Sequence, residues 1–168
     1  MTRLFFALWP DTETRHSLLN IRDTLTADNG RLVMANNLHI TLVFLGEVST
    51  EKTECVMVRA RQLKIKPVTL ILDHIGWWKK TQVVWLAPSH IPEEIQLFAA
   101  ELAAASTHCA IRPDQRPYRP HVTLARGVRR KPVLQTVEPV QWPVRGFSLV
   151  QSQTIPEGSR YKEIWSSP

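Results

Sequence analysis

Cysteine is scarce in this chain. Cys55 and Cys109 are the only two in 168 residues, and no C-x-x-C pair exists, so neither a zinc knuckle nor a redox dithiol is encoded. Two separate thiols, buried or half-buried, are expected, and with them a reducing, cytoplasmic address. Long apolar runs are also missing. The stretch Leu4-Phe5-Phe6-Ala7-Leu8-Trp9 is closed by Pro10, too short for a signal peptide or a membrane span. No low-complexity segment occurs, and no carboxylate cluster suits a metal. Acid is the minority charge, 15 Asp and Glu against 21 Lys and Arg for a formal +6, which favours an anionic partner. With 21% charged and 8% aromatic residues the composition is that of an ordinary ordered protein, and the length fits one domain over 1–168.

What the chain does contain is a four-residue pattern written twice: His39-Ile40-Thr41-Leu42 and His121-Val122-Thr123-Leu124, 82 positions apart. A lone His-x-Thr should arise about 0.5 times by chance in this composition, which makes one copy uninformative. With apolar residues required at positions two and four the expectation falls to roughly 0.1, and two copies become rare. Polar–apolar alternation is common in half-buried strands, so two ordinary strand histidines are the competing reading. On a strand, residues i and i+2 share a face. Each copy therefore shows an imidazole and a hydroxyl to one side and sends Ile40 or Val122 into a core. Two such strands side by side would surround one small anion with two imidazoles and two hydroxyls.

Charge concentrates around the second copy. Between residues 112 and 131 lie Arg112, Arg116, Arg119, Arg126, Arg129, Arg130 and Lys131, opposed only by Asp114. A basic rim for phosphates is the reading this supports. Arg126 stands five positions beyond His121, an odd offset that aims it away from the imidazole unless the strand ends or bulges after Leu124. Tyr118, Arg119, Phe5, Phe6 and Tyr161 are candidates to contact a terminal nucleotide. His16, His74, His90 and His108 lack a threonine partner and are read as structural. Trp77-Trp78 beside Lys79-Lys80 could form an exposed patch.

The pattern of elements runs as follows. Arg3 to Leu8 reads as a strand, and Asp11 caps a helix carrying Leu18, Ile21 and Leu25. Asn29-Gly30 marks a turn, Arg31 to Met34 a short strand, Asn36-Asn37 a turn, and His39 to Phe44 a strand ended by Gly46. Ser49 or Thr50 caps a helix to about Gln62, with Val56, Ala60 and Leu63 inward. Val68 to about Ile75 and Gln82 to Ala87 read as a strand pair. Pro92-Glu93-Glu94 opens a helix with Ile95, Phe98, Ala99 and Leu102 on one stripe. His121 to Ala125 is a strand, 127–143 reads as loop, and Phe147 to Gln153 and Arg160 to Trp165 flank the turn 156–159. The expected fold class is α+β, with two pseudo-symmetric lobes, each a small, mostly antiparallel sheet backed by helix.

The segments Asn37-Leu38-His39-Ile40-Thr41-Leu42-Val43-Phe44-Leu45-Gly46 and Pro120-His121-Val122-Thr123-Leu124-Ala125-Arg126 resemble the two-histidine phosphoesterase superfamily. Within it the likeness is to the bacterial RNA 2′,3′-cyclic phosphodiesterases, also called 2′-5′ RNA ligases. Arg3-Leu4-Phe5-Phe6-Ala7 and Arg160-Tyr161 resemble that family's first and last strands. The resemblance implies a bilobal fold with a central groove and signature positions at His39, Thr41, His121 and Thr123. It implies hydrolysis of RNA 2′,3′-cyclic phosphate ends, or of small cyclic nucleotides, to a 2′-phosphate. His39 would donate a proton, His121 accept one, and the threonines bind the non-bridging oxygens, with Tyr118, Arg119 and Arg126 as further substrate contacts. No metal, no cofactor and a monomer are expected. The rival readings are a groove that binds RNA ends without turnover, 2′-5′ end-joining through the same pair, and a metal-dependent hydrolase.

Overall fold

Pro10 closes the first strand and Asp11 opens the first helix. In the computed structural model, which describes residues 1–25, 30–114, 116–156 and 158–167, β1 spans Thr2–Leu8 and α1 spans Thr12–Asp23. The Thr14 N–H donates to the Asp11 carboxylate over 2.7 Å, satisfying one of the free donors of the first turn. The chain continues through β2 (Arg31–Leu32), a 3-10 turn at Ala35–Asn37, and β3 (Ile40–Val48). Then come α2 (Thr50–Ala60), β4 (Val68–Leu72), β5 (His74–Trp78), β6 (Val83–Ala87) and α3 (Glu93–His108). The last elements are β7 (Val122–Arg126), β8 (Val140–Val144), β9 (Ser148–Ile155) and β10 (Gly158–Ser166). Asn29 of the expected first turn and Glu157 of the last lie outside the described residues.

The fold is α+β with two antiparallel sheets. Seven strands follow the order β10-β9-β1-β3-β7-β6-β5, β2 joins as the eighth by pairing with β7, and β4 pairs with β8 in a small second sheet. The large sheet is symmetric about its middle. β9-β1-β3 on one side mirrors β5-β6-β7 on the other, and the halves meet where Ile40 pairs with Val122, the second residue of each repeated motif. The two lobes are thus half-sheets sharing a seam. One face of the sheet carries Leu4, Phe6, Leu8, Ile40, Val122 and Leu124, packed on Leu18 of α1, Val56 of α2 and Ile95, Phe98 and Leu102 of α3. Each such side chain contributes about 1.5–3 kcal/mol by leaving water. The opposite face is left for the groove.

Four expectations are corrected. Gly46 does not end β3. At φ +75° it sits beside a register shift that skips Leu45, and the strand runs on to Val48. The run from Val68 is two strands in different sheets, parted at Asp73, whose carboxylate accepts from the Ser89 N–H and hydroxyl. The stretch 127–143 is not all loop. Val140, Trp142 and Val144 face inward and Gln141 and Pro143 outward on β8, where proline is tolerated because the two-stranded sheet leaves it an outer edge. Finally, Cys55 and Cys109 are not free thiols but a disulfide, 54 positions apart in sequence. Side-by-side packing of α2 and α3 brings them together, so the cysteines no longer argue for a reducing compartment. Among the described residues, no helix is long and apolar enough to cross a membrane.

Candidate active site

The two motif strands are built alike. From the second motif residue onward both read buried, half-buried, buried, buried, exposed: Ile40 to Phe44 on β3 and Val122 to Arg126 on β7. The strict alternation breaks at the fourth motif residue because each strand bulges there. Ala7 pairs with Thr41 and Phe6 with Val43, skipping Leu42, while Trp85 pairs with Thr123 and Val84 with Ala125, skipping Leu124. One extra residue turns an odd offset into an even one. Arg126 is therefore returned to the face that carries Thr123, and it lines a groove together with His39, Thr123, Arg31, Ser159 and Tyr161.

Each imidazole is held by its own chain two residues back. His39 Nδ1 lies 2.7 Å from the Asn37 carbonyl, and His121 Nδ1 lies 2.7 Å from the Arg119 carbonyl. A backbone carbonyl only accepts, so Nδ1 carries the proton in both rings and Nε2 is left with its lone pair when the ring is neutral. At His39 that lone pair meets the Thr41 hydroxyl at 3.2 Å, with the hydroxyl donating. The Asn37 side chain in turn donates to the Ser159 carbonyl over 2.7 Å, tying the turn before β3 to the start of β10.

The surroundings of the two rings differ. His39 is caged by Phe5, Trp9 and Tyr161, with ring centroids at 5.0, 5.4 and 5.0 Å. His121 meets Trp78 edge-on at 4.6 Å. Desolvation pushes the His39 pKa down to about 4, with the positive charges of Arg126 and His121 pushing the same way against the Asn37 hydrogen bond. His121 is also lowered, by desolvation first and then by Arg126, against the Arg119 carbonyl. Both rings are neutral at pH 7, and Arg126 is close enough to act on both.

The structure thus brings His39, Thr123 and Arg126 around one groove, with the Thr41 hydroxyl on His39 Nε2 and His121 in electrostatic contact with His39. Arg119 serves His121 through its backbone, and its side chain is exposed. Tyr118 packs against the main core, and its hydroxyl is buried without a hydrogen-bond partner among the described residues, which holds its pKa above the usual range. Phe6 is fully buried in the core, whereas Phe5 and Tyr161 lie against His39. Sequence reasoning missed Trp9 and Asn37 and read Trp78 as part of a surface patch. The i−2 placement of Asn37 and Arg119 was the available signal. Among the described residues, no group of three or more His, Cys, Asp or Glu side chains converges as a metal site.

Residues 10–155 match the model of the 2′-5′ RNA ligase superfamily. The chain is 38% identical over 125 residues to an Escherichia coli (strain K12) protein named RNA 2′,3′-cyclic phosphodiesterase, an alignment covering 74% of this chain and 71% of that one. The apo crystal structure of Escherichia coli LigT superposes with a TM-score of 0.87 at 32% identity, covering 98% of this chain and 95% of that one. LigT complexed with 3′-AMP superposes at 0.86 and 32% identity, covering 99% and 98%.

Proposed function

The chain belongs to the 2′-5′ RNA ligase superfamily, and from that membership we propose that it hydrolyses RNA 2′,3′-cyclic phosphate ends, and small cyclic nucleotides, to 2′-phosphates without a metal ion. The observation that carries this reading is the matched pair of Nδ1–carbonyl clamps, which leaves the Nε2 of each neutral ring with its lone pair for proton transfer. His121 Nε2 takes a proton from water as the water oxygen bonds to phosphorus. The bond from phosphorus to the 3′ oxygen breaks, and that oxygen takes the proton held on His39 Nε2. The products are a 2′-phosphomonoester and a free 3′ hydroxyl, and the two rings return to their starting states by exchange with solvent. Thr41, Thr123 and Arg126 donate to the non-bridging oxygens, where charge builds in the transition state. His39 is neutral in the free protein and must gain a proton to act as an acid. An anionic phosphate beside it favours the charged imidazolium and supplies that shift. The complex of LigT with 3′-AMP supports a nucleotide-sized occupant for the groove.

The test is incubation with RNA bearing a 2′,3′-cyclic end, with and without EDTA, followed by identification of the phosphate isomer. A 2′-phosphate formed at equal rates in both arms is expected. Loss of turnover in EDTA would replace this mechanism with a metal-dependent one. Binding without turnover would leave only a groove for RNA ends.

A further inference from the structure

Three residues past Arg126 the chain reads Arg129-Arg130-Lys131, and these cations do not hang in a free loop. Gly127, at φ +72°, turns the chain out of β7, and Val128 is then pinned. The Val128 N–H donates to the Gln82 carbonyl over 2.9 Å, and its carbonyl accepts the Trp77 indole N–H, also over 2.9 Å. The Val128 side chain is 3% exposed, packed with Val84 and Ala125. Gln82 and Trp77 flank the turn between β5 and β6 that carries Lys79 and Lys80. Segments some 50 positions apart are thereby clamped into one corner bearing Lys79, Lys80, Arg129, Arg130 and Lys131. All five are exposed, and among the described residues none is in an ion pair. Three residues span at most about 11 Å, so the corner begins within a nucleotide or two of the phosphate that Arg126 would hold.

We propose that this corner, clamped by Val128 onto the β5–β6 turn, is a landing surface for the sugar-phosphate backbone of an RNA strand whose cyclic end occupies the groove. It rests on the hydrolase reading above and narrows it, making a polynucleotide rather than a mononucleotide the preferred substrate. Lys and Arg gain by displacing counterions from a polyphosphate, and a mononucleotide offers no further phosphate to reach them. Arg126, which lines the groove, belongs to the terminal phosphate and not to this surface.

The experiment compares adenosine 2′,3′-cyclic phosphate with an oligoribonucleotide carrying the same end, in the wild type, the variant R129Q/R130Q/K131Q and the variant K79Q/K80Q. A control variant, R59Q/R61Q/K64Q, removes equal charge around the end of α2, on the helix-covered side. Binding of a fluorescent oligoribonucleotide with a 2′-phosphate end is followed in parallel between about 50 and 200 mM salt. The triple corner variant should raise KM and Kd for the oligonucleotide at least tenfold at the lower salt. It should also flatten the salt dependence by about 0.7 per lost phosphate contact. Mononucleotide turnover should stay within twofold of wild type. An unchanged oligonucleotide Kd and salt slope would overturn the proposal. So would an equal effect in the α2 control, or a parallel fall with the mononucleotide. Because the binding arm needs no turnover, absence of hydrolysis in the wild type would count against the hydrolase reading alone.

Discussion

The two motif strands share a backbone and differ in chemistry. β3 and β7 have the same burial sequence, the same bulge at the fourth motif residue and the same carbonyl two residues before the histidine. Yet the first imidazole sits among three aromatic rings and the second against one. The fifth position after the histidine is Phe44 on β3, its ring under the Arg3 guanidinium at 5.1 Å, and Arg126 on β7. Duplicated geometry holds the Nδ1 of each ring on a carbonyl two residues back. Under the proposed hydrolase mechanism, the unlike surroundings would let one ring work as acid and the other as base, since the two roles require different protonation states in the same complex.

The hardest blow to the comparison is to remove either imidazole. His39→Ala and His121→Ala should each lower kcat by about 10²–10⁴-fold, the usual range for a general acid or base. The double variant should lose little more than the worse single one, because the pair acts as a unit. Rates of 2′-phosphate formation measure this. If one histidine can be lost at no cost, the shared geometry is inherited architecture and only one copy is functional.

Next is the exchange of the fifth position. Arg126→Gln should lower kcat/KM by about 10–100-fold, as expected for a hydrogen bond to a charged group. Phe44→Arg should change it less than threefold, because the Phe44 ring lies under the Arg3 guanidinium and does not line the groove. Arg126→Gln should also raise the pKa of both imidazoles, since the guanidinium depresses each. NMR titration of the ring signals reads this directly, and unmoved pKa values would place Arg126 away from the pair.

How much of this was legible in sequence follows from which features are local. Period-two alternation and the capping residues Asp11 and Ser49 located most elements, and the repeated His-x-Thr located the two strands that meet. The Arg126 parity conflict was visible, and so was the kind of irregularity needed to resolve it. Its cause was not, because a bulge is set by pairing with β6, as the skipped Leu124 shows. The disulfide was illegible for the same reason. Nothing near Cys55 or Cys109 marks them as partners, and only helix packing brings them together. Tyr118 reads as a candidate nucleotide contact beside a motif, but its ring packs against the core.

A subtler separation of the lobes is by pH. The ordinary imidazole pKa is about 6.5, and in the folded chain His39 is lowered to about 4 and His121 is lowered as well. The profile of kcat/KM reports the free protein and should peak below pH 6.5. That of kcat reports the complex and should peak at higher pH, because the bound phosphate raises both values. A depressed histidine binds its proton more readily when unfolded, so this stabilisation is complete above about pH 6.5 and is lost as pH falls towards 4. His39→Phe should flatten that part of the stability curve, measured by urea denaturation at a series of pH values. Coincident kcat and kcat/KM profiles would mean that the phosphate does not act on the imidazoles.

The smallest expected effect on turnover comes from the crosslink. Cys55 lies on α2, which follows the first motif strand, and Cys109 lies just beyond α3, which precedes the second. The bond ties together the helices that support the two lobes from the core side and touches neither imidazole. Closing a loop of 54 positions restricts the unfolded chain, an effect worth about 2–4 kcal/mol for a typical disulfide. Cys55→Ser/Cys109→Ser should lower the Tm and leave kcat within twofold at a temperature well below melting. Thermal melts and initial rates on the same samples measure the two together. A fall in kcat without a fall in Tm would mean that the helices transmit strain to the seam at Ile40 and Val122. The symmetric backbone would then depend on the crosslink, whereas the paired strands and their bulges are expected to hold it unaided.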